Sequence, residues 1–150
     1  MIVEFKKLND KAKMPFHGSL EAACSDVFSC FDSESEFWEL LPGETKVVPT
    51  GLKVAYIPKG YRIGVYSRSG LSAKNSVFVL NAPGIVDSDY RGELKVILHN
   101  SGKESFTIEN EMRIAQIALE KIEDDYTFRE TTTDGNETER GNGGFGSTGF

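Results

Sequence analysis

The sequence predicts an all-β fold, an antiparallel sandwich or barrel. Three observations carry this. Short runs alternate apolar and polar residues, clusters of Gly, Pro, Asn and Asp punctuate them, and no repeated helix lies between them. At 150 residues, the chain is the size of one domain able to bury a core. Apolar residues make up 39% and charged ones 27%, which excludes a disordered chain.

The elements follow in order. Gly51 to Ile57 alternates and stops at the turn signal Pro58-Lys59-Gly60; Tyr61 to Tyr66 begins the next run. Ser69 to Lys74 reads as one helical turn, and Ser76 to Leu80 is again β-rich. Glu93 to His99 places Leu94, Val96 and Leu98 on one face, with Glu93, Lys95 and His99 on the other. After the turn at 100–103, Phe106 and Ile108 continue the pattern. Residues 112–122 fit two templates, because Met112, Ala115, Leu119 and Ile122 also form a helical face, and periodicity does not choose. The stretch Phe31 to Leu41 matches no motif, and its Trp38 reads as packing.

Acidic groups outnumber basic ones 23 to 17, for a net charge of −6. That argues against a nucleic-acid or anionic-membrane binder, but not against a small phosphorylated ligand held by a few cations. No apolar stretch approaches the ~20 residues of a spanning helix. The first residues lack a signal-peptide core, which predicts a cytoplasmic protein. Cys24 and Cys30, six apart, would share one face of an extended strand. A zinc site would need two more ligands, and His17 and His99 are distant in sequence, so free thiols are expected.

The expected division is a core over 1–130 and a flexible C-terminal arm over 131–150. The arm is rich in Thr, Glu, Asn and Gly, with almost no aliphatic residue to order it. Yet Arg140 to Gly149 sets one cation, one aromatic and two hydroxyls in a glycine-rich run, groups suited to gripping phosphate and stacking on a base. Its Gly141-x-Gly143-x-x-Gly146 spacing mimics a dinucleotide fingerprint. It lacks the preceding strand, following helix and downstream acid that the fingerprint requires.

Three internal segments carry more polar chemistry than a core needs: Ser67 to Leu71, Asn81 to Gly92, which reads as hairpin-like, and Arg113 to Gln116. Singly, each has a bland reading as a surface ion pair, turn or solvated face. Their order and wording resemble the five motifs of the homotrimeric dUTPase family. Ala22 to Phe28 is similar to the first motif, Arg68-Ser69-Gly70-Leu71 to the second and Gly84 to Gly92 to the third. Arg113-Ile114-Ala115-Gln116 resembles the fourth and Arg140 to Gly149 the fifth. Three positions depart from the pattern. Cys24-Ser25 replace Gly-Tyr, Ser67 replaces Pro or a small residue, and Glu111 replaces a Gly, which leaves that turn's backbone in question.

The resemblance implies a jelly-roll trimer with sites at subunit interfaces, hydrolysing dUTP to dUMP and pyrophosphate with Mg²⁺. Such an activity keeps uracil out of DNA and supplies dUMP for dTMP synthesis. By the same resemblance Asp87 is the base that activates water, and Asp26 holds a metal-bound water. Arg68, Ser69 and Gln116 take α- and β-phosphate oxygens, and Gly70 permits close backbone approach. Asn81 reads the uracil by its side chain and Gly84, Ile85 and Lys95 mainly by backbone, with Val86 also binding substrate. The Tyr90 ring underlies the deoxyribose. In the arm, Phe145 stacks on the base beside Gly146, while Arg140, Ser147 and Thr148 grip the γ-phosphate. Two other readings remain: a deaminase acting on dCTP, alone or bifunctional with dUTP hydrolysis, and a dUTP sensor that presents a surface to a regulatory protein.

Overall fold

A computed structural model describes residues 1–31 and 37–142. Strands β1 (Glu4–Lys7) and β2 (Phe16–His17) flank a turn. There Asn9 Oδ1 accepts the N–H groups of Lys11 and Ala12, each at 3.0 Å. β3 (Ser25–Phe28) follows, and β4 (Phe37–Leu40) carries Trp38, whose ring stacks on Phe31 at 4.5 Å. Trp38 therefore packs against the core, as expected.

β5 (Thr45–Tyr56) extends the 51–57 run backwards through Pro49. Its pairing slips between Pro49 and Lys53, where Gly51 has φ +67°. Proline brings no N–H to the ladder and glycine accepts positive φ, so these residues form a bulge. β6 (Tyr61–Tyr66) and helix α1 (Ser69–Asn75) stand where the sequence places them. β7 (Val77–Val79), β8 (Gly84–Val86), β9 (Glu93–Asn100), β10 (Phe106–Glu109) and β11 (Arg113–Lys121) complete the fold.

The ambiguous run 112–122 is thus a strand. β11 pairs with β3 on one side and β6 on the other, which satisfies a central strand's backbone groups on both edges. The turn before it keeps the conformation glycine favours: Glu111 has φ 61° and accepts the strain of a side chain there.

Two antiparallel sheets result, in the orders β1-β5-β9-β7 and β2-β3-β11-β6-β8, with a β10-β4 ribbon alongside. Non-consecutive neighbours give the jelly-roll-like weave of an all-β sandwich. Leu94, Val96 and Leu98 face the core, as the alternation predicts, and join Ile63, Val65, Ile114 and Ile117. Each fully buried aliphatic side chain of this kind contributes about 1.5–3 kcal/mol.

Two local expectations change. β3 stops short of both cysteines, leaving Cys24 half-buried and Cys30 buried; both are free thiols. The 81–92 segment does not form a simple hairpin. β8 pairs with β6 in one sheet, while β9 pairs with β5 and β7 in the other, so residues 87–92 cross between layers. After Lys121 the described chain is irregular, and residues 123–142 are all exposed.

Candidate active site

The crossing segment walls a cavity of about 260 Å³. Ile85, Val86, Asp87, Tyr90, Glu93 and Lys95 line it, over an apolar floor of Val47, Leu94 and Ile97. Gly84 is closely packed beside the cavity. An added Cβ would stand 3.1 Å from Asn81 Nδ2 and 3.3 Å from Val65 Cβ. Arg91 ties the loop to itself, its Nη1 donating to the Ser88 and Tyr90 carbonyls at 2.8 and 2.7 Å. Asp87 is exposed on the rim, and the Tyr90 phenol donates to the Glu93 carbonyl at 2.9 Å.

A second cluster forms where β6 runs into α1. Asp26, whose side chain is 14% exposed, receives Arg68 Nε at 2.9 Å on one oxygen and Arg113 Nη1 at 3.2 Å on the other. Arg68 Nη1 also donates to the Arg113 carbonyl at 3.1 Å, and Gln116 Nε2 donates to the Ser67 carbonyl at 2.9 Å. Register explains the gathering: Gln116 sits opposite Asp26 on β3 and Tyr66 on β6. Ser67, the departure from Pro, uses its hydroxyl to accept the Val79 N–H at 2.9 Å, fixing the loop to the opposite sheet. Ser69 and Gly70 are exposed, and open space surrounds the position of a Gly70 Cβ.

The structure therefore brings Ile85, Val86, Asp87, Tyr90 and Lys95 together in the cavity, with Gly84 and Asn81 beside it. Asp26, Arg68 and Gln116 assemble separately and do not line it. Arg140 lies on the exposed stretch; Phe145, Gly146, Ser147 and Thr148 lie outside the described residues. Sequence reasoning missed Glu93 as a cavity residue, since alternation marks it only as an outward side chain.

Beyond both clusters, on the β6 and β11 strands, the Tyr66 phenol donates to Glu120, which also pairs with Arg62 Nε at 2.9 Å. The phenol's hydrogen bond, reinforced by Arg62, holds Glu120 below the usual carboxylate range, and the same bond raises Tyr66. Among the described residues no three His, Cys, Asp or Glu side chains cluster to cage a metal. Nor is any helix there long and apolar enough to cross a membrane.

Comparison with known proteins agrees with this fold. A family model described as dUTPase matches residues 10–149. A deoxyuridine 5'-triphosphate nucleotidohydrolase of Chlamydia muridarum is 46% identical over 145 residues, covering 97% of each chain. One from Leptospira interrogans is 43% identical over 150 residues, covering 99% of each. Among solved structures, a dUTPase of Staphylococcus bacteriophage 80alpha with dUpNHpp is similar at a TM-score of 0.85, 27% identity and 99% coverage of both chains. With the motifs in order, the fold in place and relatives matched end to end, this chain belongs to the dUTPase family.

Proposed function

We propose that the protein hydrolyses dUTP to dUMP and pyrophosphate, as a dUTP diphosphatase, by in-line attack of water on the α-phosphorus. The observation that carries this reading is the cavity: of its two carboxylates Glu93 is engaged by the Gly51 N–H and Lys95, while Asp87 stands exposed on the rim of an apolar-floored pocket whose wall is Tyr90. Asp87 accepts the proton of the attacking water, the new P–O bond forms at the α-phosphorus, and the bond to the β-phosphate bridging oxygen breaks. Uracil enters against Asn81, Gly84, Ile85, Val86 and Lys95. Backbone groups there fit its hydrogen-bond pattern and leave polar atoms unpaired with cytosine.

The second cluster suits phosphate. Arg68 spends Nε on Asp26 and one Nη1 hydrogen on a carbonyl, which leaves the rest of its fork for phosphate oxygens. Gln116 keeps one amide hydrogen, the Ser69 hydroxyl is exposed, and Gly70 leaves room for close approach. These residues fit Mg²⁺ held mainly by the triphosphate and its own waters, because Asp26, fixed by two arginines, retains lone pairs for a metal-bound water. When bound, Mg²⁺ screens the triphosphate charge.

The separation of the two clusters within one chain supports a homotrimer in which neighbouring subunits complete each site. Exposed Phe16, Leu20, Tyr126 and Phe128 offer apolar surface for that assembly. The arm over 131–150 then closes on bound nucleotide, with Arg140, Ser147 and Thr148 on the γ-phosphate and Phe145, beside Gly146, on the base. The reaction's place is the cytoplasm, where it withholds uracil from DNA and yields dUMP for dTMP synthesis. Incubation with dUTP or dCTP and Mg²⁺, followed by product identification, tests the reading. Pyrophosphate and dUMP from dUTP are expected. Ammonia from dCTP would make the protein a deaminase, and tight binding without product a sensor.

A further inference from the structure

Glu93 is placed to do more than solvate a strand. Its side chain is 19% exposed, and its atoms hold three neighbours. Oε1 accepts the Gly51 N–H at 2.9 Å, Oε2 lies 3.5 Å from Lys95 Nζ, and the backbone carbonyl accepts the Tyr90 phenol at 2.9 Å. The β5 bulge explains the first contact. Pairing with β9 slips between Pro49 and Lys53, and the carboxylate takes the Gly51 N–H within that slip. Gly51 is itself locked, since its carbonyl accepts the Leu8 N–H at 2.8 Å and a Cβ there would come within 2.9 Å of Ala12 Cβ.

We propose that Glu93 is a positioning residue for sugar selection: anchored to the Gly51 bulge, it presents a fixed carbonyl that pins the Tyr90 ring as the cavity wall. The inference rests on reading the cavity as a deoxynucleotide pocket. A wall rejects one additional hydroxyl only if it does not retreat. Tyr90 is 43% exposed, so packing alone holds it weakly, and its phenol bond to Glu93 is the tether. Gly92 makes the seat, because a Cβ there would collide with the Tyr90 ring; the Gly92 carbonyl in turn accepts the Val54 N–H at 3.0 Å. Glu93 is the first residue of β9, where a strand end frays unless a side chain staples it.

Steady-state kinetics of the full chain with dUTP and UTP tests this. Glu93→Ala should lower the ratio of kcat/KM for dUTP over UTP about fivefold or more, chiefly by letting UTP react. Glu93→Gln keeps an oxygen for the Gly51 N–H and should restore the ratio to within about twofold of the parent. Tyr90→Phe removes the donor but not the ring, and should move the ratio in the same direction as Glu93→Ala. It decides the matter if Glu93→Ala does not fold. A cooperatively folded Glu93→Ala protein with the parent ratio overturns the assignment. So does Tyr90→Phe at the parent ratio, or Glu93→Gln falling as far as Glu93→Ala. A parent chain that does not distinguish dUTP from UTP overturns the pocket reading itself, and the role of Glu93 with it.

Discussion

Asp87 and Asp89 lie two residues apart on the same crossing segment, yet only Asp87 lines the cavity. That difference is why Asp87 is the base we propose. Asp87→Asn keeps the side chain's shape and removes its proton acceptance, so turnover of dUTP should fall at least ~100-fold while a non-hydrolysable analogue still binds. Kinetics on a purified variant, paired with a binding titration, checks it; turnover near the parent rate would move the role to Asp89. Arg68 and Arg113 illustrate a different constraint. Both reach the one carboxylate of Asp26, so removing Asp26 would free two cations that it now orients.

At the scale of elements, the turn into β11 holds stored strain. Glu111 adopts φ 61°, its N–H bonded to the Ser29 carbonyl at 2.9 Å, while its carboxylate reaches Lys13 Nζ at 2.6 Å on an exposed surface. An exposed pair of this kind stabilises by no more than about 1 kcal/mol, whereas a side chain in the left-handed region costs roughly 1–2 kcal/mol. Glu111→Gly should therefore raise the melting temperature slightly; a fall would show that the Lys13 pair outweighs the strain. The β6–β11 pair carries a pH signature. The Glu120 carboxyl is lowered on folding, so its stabilisation is present above the unfolded value and is lost as pH falls through the folded one. Glu120→Gln should melt below the parent at neutral pH by about 1 kcal/mol or less. The gap should close as pH drops below the ordinary carboxylate value of about 4, which a pH series of thermal melts would follow.

Across the whole molecule, the buried side chains lie between the sheets and the chain beyond Lys121 adds almost nothing to them. Every described residue from 123 to 142 is exposed, so truncation before Arg140 removes little apolar surface from the core. The melting temperature of the truncated protein should match the parent, while most dUTP turnover disappears with the fifth motif. A truncated chain that turns over dUTP at the parent rate would show the arm to be dispensable. Closure over nucleotide should also slow protease cleavage near Gly141 when a dUTP analogue and Mg²⁺ are present.

The sequence by itself determined the all-β class, the inward face of β9 and, through the order and wording of its motifs, the family. The first two depend on side-chain period and the third on runs of a few residues, and all of these are local. Only the tertiary structure decided the state of 112–122. Met112, Ala115, Leu119 and Ile122 also fit a helical face, and it is pairing with β3 and β6 that makes the segment extended. It also decided which polar residues meet. Asp26 and Arg113 are far apart in the chain and touch because β3 and β11 are neighbours, while Glu93 reaches Gly51 through a bulge that no spacing announces. Register between distant strands is set by the packing of the whole sandwich, and a single strand's pattern does not encode its partner.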